Sequence, residues 1–347
     1  MTVREARVIA REWAERYGSG FPGYCGAYLS GSFLQAAEDE VWPETSDIDI
    51  VIVINKEPPE IKPGKFLCGG VLLEVSLIRK EEYASLEHIL STHYLAYALH
   101  MDGILADPEG YLEPLHLEVK EQYAREIWVR RRCRSFIDHI QASIASFNTG
   151  APFHEQVTGW LFPTGITTFP ILAAALENCT VRKRYTAART VLETYGLTDF
   201  YPPLTRLLTG DDFNALSLPD HLHELETTFD LAANTRGPSA HYPFRSDISF
   251  SSRPVALGGS RALIESAYPM EAVFWMAATF ARCHAILSMD APALHQERLP
   301  KFQAFMASLG ITGTGAMVRR NEALLAFLPE VERIADAIIQ KRKCWKT

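Results

Sequence analysis

Residues 46–54 read SDIDIVIVI and residues 71–78 read VLLEVSLI, and the fold of the first third of the chain turns on these two stretches. Ile48 to Ile54 is a strand-length run of β-branched residues interrupted by one acid. Side chains two apart on a strand share a face, so Asp47 and Asp49 project together while Ile48 and Ile50 point to the other side. Two carboxylates facing one way are costly unless something positive lies between them. A divalent metal is the simple remedy, and magnesium favours a few carboxylates with phosphate oxygens and water. In the second stretch Val71, Leu73, Val75 and Leu77 make one face, and Leu72, Glu74 and Ser76 the other. Glu74 is therefore an acid in the middle of an apolar strand. If the strands are neighbours it completes a three-carboxylate cluster; the plainer alternative is a Glu paired with a structural Arg or Lys.

Upstream, Val3, Ala6, Ala10, Trp13 and Tyr17 recur at helical spacing, which predicts an amphipathic first helix ended by Gly18, Gly20, Pro22 and Gly23. YCGAYLSGS then reads as a short strand closed by Gly31 and Ser32, where a backbone without Cβ can approach a phosphate and the hydroxyl and amides can donate to it. QAAEDEVWPETS is a polar loop, and KEPPEIKPGK terminates the strand at Ile54. From Lys80 onward strand signals are almost absent and helical spacing takes over.

The three motifs in order, SGSF, SDIDIVIVI and LLEVSLI, resemble the DNA polymerase beta type nucleotidyltransferase superfamily, and Ser-Asp-Ile-Asp is similar to the matching segment of kanamycin and other aminoglycoside nucleotidyltransferases. The resemblance covers about a third of the chain. It implies an α/β (α+β) fold: an N-terminal nucleotidyltransferase domain, residues 1–110, with a mixed sheet flanked by helices, and an all-α helical bundle over 111–347. It further implies that Gly31 and Ser32 hold the triphosphate, that Asp47 and Asp49 bind Mg2+, and that Glu74 is the third acid, metal ligand or base. The substrates implied are ATP or another NTP and a small hydroxyl acceptor, aminoglycoside-like, with release of pyrophosphate. A protein acceptor, as in antitoxin-type AMPylating relatives, and a catalytically silent nucleotide-binding module are the alternatives. The long gap between Gly-Ser and the aspartates marks the loop carrying Glu38, Asp39, Glu40 and Glu44 as an insertion.

The rest of the chain sets bounds. At 347 residues two cores are expected, since one core stops growing above about 250. Hydrophobic residues at 47% and charged ones at 22% describe a globular protein, and a net charge of −8 disfavours a long nucleic acid as partner. No apolar run approaches the roughly 18 to 20 residues of a membrane span, so no membrane partner and a cytoplasmic location are expected. Cys25, Cys68, Cys133, Cys179, Cys283 and Cys344 lack metal-finger spacing and read as reduced structural thiols. The sequence leaves the oligomeric state open.

DPEGYLEP, residues 107–114, is the expected boundary, with helices over 115–147, 153–175, 181–195, 220–235, 261–289 and 320–342. The irregular 236–260 segment reads as a site loop or small hairpin. Arg182, Lys183, Arg184 and Arg189 are either a phosphate-facing group or a solvated helix start with local ion pairs. Arg134 and His139 have the spacing of HEPN ribonuclease domains, but five helical residues do not share a face. Ser260 reads as an N-cap, with anion binding at GGS as the alternative. His93, His100, His154 and His284 read as core or rim histidines. Glu74 is the first candidate for the base and Glu87 the second.

Overall fold

The computed structural model describes residues 1–61 and 63–344, except for the side chains of residues 343 and 344; Lys62 and the thiol of Cys344 lie outside it. The described chain carries one mixed five-stranded sheet and many helices, an α/β fold. It divides into two compact units, residues 1–132 with 251–255, and residues 133–250 with 256–347.

The first unit opens with α1 (Val3–Arg16), where Thr2 and Glu5 form a reciprocal capping box. The strands are β1 (Tyr24–Ser30), β2 (Ile48–Ile54), β3 (Gly64–Cys68), β4 (Val71–Arg79) and β5 (Ile104–Ala106), in spatial order β3-β4-β2-β1-β5. Only the β2–β4 pair is parallel. The face holding Ile48, Leu73 and Phe66 in one row packs against α1, whose Trp13 ring lies 5.3 Å from that of Phe66. Burial of these side chains drives the layer together, at about 25 cal/mol for each Å² of apolar surface. On the other face Tyr28 and Tyr83 share a buried hydrogen bond of 2.7 Å.

Two strands depart from the sequence reading. β3 begins inside the stretch assigned to chain termination, so Val71–Arg79 is the fourth strand and not the third, and β5 is a short strand in the helical region. β3 exists because Gly69 and Gly70, both at positive φ (55° and 88°), make a two-residue hairpin that folds it back on β4. β5 is three residues long, too short to show an alternation.

α2 (Leu86–Ser91), α3 (His93–His100) and α4 (Leu112–Gln122) also belong to this unit, whose first segment runs to Arg132. Arg132 shows why: it is 1% exposed, donates to the carbonyls of Leu90 (2.8 Å) and Tyr123 (2.7 Å), and lies over the Tyr123 ring.

The described residues of the second unit carry helices without strands. The reading over 115–147 resolves into α4 and α5 (Glu126–Ala145), and that over 153–175 into α6 (Phe153–Ile166) and α7 (Phe169–Ala175). There follow α8 (Arg184–Thr194), α9 (Tyr201–Thr209), α10 (Leu218–Asn234), α11 (Gly259–Ile264), α12 (Val273–Asp290), α13 (Pro292–Ser308) and α14 (Thr314–Cys344). α9 and α13 lie outside the helical spans read from the sequence. Both begin with proline in the first turn, where its missing N–H costs nothing. Every side chain of α12 from Val273 to Leu287 is buried, as in the centre of a bundle.

Although neither is an uninterrupted apolar run, the stretches Phe153–Ala175 and Pro269–Asp290 have the length and composition to cross a membrane; most of their residues are buried within the fold. The 236–260 segment is a chain of 3₁₀ turns and one π turn, not a hairpin. Ser260 is no N-cap: it lies inside α11, fully buried, and donates to the Ala256 carbonyl at 2.8 Å. Cys25, Cys68, Cys133, Cys179 and Cys283 are free thiols.

Candidate functional site

The sheet register assembles the site. Ser30 pairs with Asp49, Asp49 with Glu74, and Glu74 with Lys65, a row across β1, β2, β4 and β3. Paired residues share a face, and it is the face opposite the one covered by Trp13. Asp47, two residues before Asp49, joins them. The three acids named from sequence therefore converge, and Gly31 follows directly on Ser30 at the end of the row.

Gly31 has φ +67°, and a Cβ built on it would lie 1.9 Å from Asp49 Oδ2. Only glycine lets the turn press against that carboxylate. The turn continues as a 3₁₀ helix, Gly31–Gln35, with Ser32 exposed.

Lys65 is the residue that sequence reading missed. Its side chain is 7% exposed, and Nζ lies 2.6 Å from Asp47 Oδ2 and 3.1 Å from Glu74 Oε2. Both readings of Glu74 thus hold in part: it stands beside the aspartates, and it is paired with a lysine. Burial opposes ionisation of Asp47, but the Lys65 ammonium prevails and holds its carboxyl below the usual range. Asp49 goes the other way. Burial, then the charges of Asp47 and Glu74, push it well above the usual carboxylate range, and Lys65 offsets this only partly.

Among the described residues no three His, Cys, Asp or Glu side chains form a ready-made metal-binding group. In the chain alone, the cation between Asp47 and Glu74 is Lys65. The donor set still fits a divalent ion: burial and the charges of Asp47 and Glu74 raise the pKa of Asp49, a strain that a cation would relieve, and the three carboxylates offer the hard oxygens that magnesium takes. Side-chain exposures of 20% for Asp47 and 34% for Glu74 leave the acids open to an incoming ion.

The remaining candidates are used elsewhere. Glu87 is exposed and pairs with Arg131. Glu38 and Asp39, in the acidic loop, both pair with Arg4. Arg134 pairs with Asp138 and Glu332, and His139 is exposed.

The basic run is not a solvated helix start. Arg184 is 2% exposed and its guanidinium lies between the rings of Phe169 (4.7 Å) and Phe274 (3.8 Å), while Arg189 pairs with Glu271 and Glu193. His154 and His284 are buried, and His284 Nδ1 lies 3.1 Å from His295 Nδ1. Each keeps one ring nitrogen without a hydrogen-bond partner, so neither is the fully satisfied core histidine expected. His100 stacks on Tyr123, and His93 meets Tyr94 edge to face.

Comparison of the chain with protein-family models, with curated proteins and with solved structures yields no match.

Proposed function

We propose that the first unit is a magnesium-dependent nucleotidyltransferase that moves a nucleoside monophosphate from ATP or another NTP to a hydroxyl of a small acceptor, releasing pyrophosphate. The observation that carries this reading is the row Ser30, Asp49, Glu74 and Lys65 with Asp47 at its edge, which gathers three acids beside a glycine turn. The order of the motifs SGSF, SDIDIVIVI and LLEVSLI along the chain, which resembles that of the polymerase beta type superfamily, also supports it.

In this reading Asp47 and Asp49 hold the magnesium, with Glu74 as third ligand or base. When bound, the ion polarises the α-phosphate and offsets charge on the attacking and leaving oxygens. Gly31 lets the turn backbone come close to the carboxylates, so phosphate oxygens held by the Gly31–Ser32 amides lie near the acids. Glu74, its side chain 34% exposed against 20% for Asp47, is the better placed of these two to take the acceptor's proton. The acceptor is read as small and neutral or cationic from the net charge of −8. The reading also places the protein in the cytoplasm, with an N-terminal catalytic domain and a helical bundle.

The test is pyrophosphate release by the full chain with magnesium and each of the four triphosphates, with and without pools of hydroxyl compounds. One triphosphate should be consumed with an acceptor, and Asp49→Asn should reduce turnover by about a thousandfold or more. Full turnover in Asp49→Asn, or no release with any triphosphate, contradicts the reading. A labelled protein band with labelled ATP would move the acceptor from small molecule to protein.

A further inference from the structure

The lysine between the acids has a consequence of its own, resting on the magnesium reading above. Lys65 comes from the edge strand β3 and reaches Asp47 and Glu74 at 2.6 Å and 3.1 Å, within one strand row of Asp49. With the side chain 7% exposed, the ammonium has given up most of its water for these two carboxylates. A magnesium ion bridging the same oxygens and Lys65 Nζ cannot share that space: two cations so close repel strongly in a half-buried site.

We propose that Lys65 is a built-in, displaceable counter-cation: it holds the carboxylates together before metal loading and must leave Asp47 and Glu74 for magnesium to bind. The lysine stem has four carbons and rotatable bonds, and Lys65 lies three residues from the hairpin turn on an edge strand, so the head can move without the backbone. Two consequences follow. Magnesium alone binds weakly, since it has to break two ion pairs, and it binds more tightly when a triphosphate arrives with it, because phosphate oxygens can receive the displaced ammonium.

The test uses the full chain and magnesium alone. In the wild type, acylation of lysines followed by peptide mass spectrometry should show Lys65 protected without metal and several-fold more reactive at saturating magnesium. Calorimetry should show Lys65→Met binding magnesium about tenfold more tightly than the wild type. Its melting temperature should be lower without metal and regained with it. Unchanged Lys65 reactivity in wild-type protein that calorimetry shows to be magnesium-loaded overturns the proposal while leaving the metal reading intact, and needs no variant to fold. Equal magnesium affinity of wild type and Lys65→Met does the same. Absence of magnesium binding in both overturns the metal reading, and this proposal with it.

Discussion

One site of the helical unit buries a single acid, one site of the sheet unit gathers three that are partly exposed, and the two are compensated differently. In the helical unit Glu271 is 3% exposed; Oε1 accepts from Arg189 Nε at 2.8 Å and from the Tyr201 hydroxyl at 2.7 Å, and Oε2 accepts from Thr186. One acid has three donors, one of them cationic. In the sheet unit Lys65 pairs with Asp47 and Glu74, while burial and those two acids push Asp49 above the usual carboxylate range. Burying a charge is tolerated when its partners are in place and costly when they are not. Glu271 is an acid that the fold satisfies on its own, whereas the surroundings of Asp49 disfavour its charge, which is what the proposed divalent cation would relieve.

The largest expected effect lies on the satisfied side. Glu271→Ala strands Arg189 and Tyr201 and should lower stability by about 3 kcal/mol, read from the urea midpoint at constant m-value. A loss below about 0.5 kcal/mol would show that Glu271 is no better compensated than the sheet acids, and the comparison would fail.

A middle effect comes from buried imidazoles that each keep one ring nitrogen without a hydrogen-bond partner. Burial, with His295 beside both, lowers His154 to about 4 and His284 to about 3, so they fold neutral. Their stability contribution is whole above the ordinary value of 6.5 and is lost as pH falls towards those folded values. Below pH 6.5 the expected loss is about 1 kcal/mol per histidine per pH unit. His154→Phe should flatten the profile; an unchanged slope would show that these rings are not its source.

Asp49→Asn carries the smallest stability effect and opposes the usual direction of a mutation. Because the folded pKa of Asp49 lies above its ordinary 3.8, its contribution is whole below 3.8 and declines as pH rises through the folded value. The amide removes that decline, so the metal-free variant should be more stable than the wild type at pH 7 and equally stable near pH 3. A loss at pH 7 would mean that Asp49 is satisfied in a way its surroundings do not show.

The sheet unit was the more legible because its signals are local. Alternation in SDIDIVIVI fixes which residues share a face, and the pairing of Asp49 with Glu74 needs only that β2 and β4 be neighbours. Lys65 was legible in principle. Reading CGGV as a two-residue hairpin and counting back from Cys68 and Val71 places Leu67 opposite Leu72, Phe66 opposite Leu73 and Lys65 opposite Glu74. The prolines of KEPPEIKPGK hid it, since they mark the end of one strand and the approach to the next alike. The burial of Arg184 was not legible, because its partners Phe169 and Phe274 are distant in sequence and a cation over aromatic faces leaves no pattern in a charged run. The helices α9 and α13 are hard to read from sequence because each has proline in its first turn, a residue that opens a helix and interrupts one alike.

A divalent-cation site at the sheet acids is tested by manganese binding to the full chain, followed by electron paramagnetic resonance. Wild-type protein should bind Mn2+ that Mg2+ displaces, and Asp47→Asn and Asp49→Asn should each weaken this about tenfold or more. Manganese bound with equal affinity by all three proteins, or by none, would contradict it.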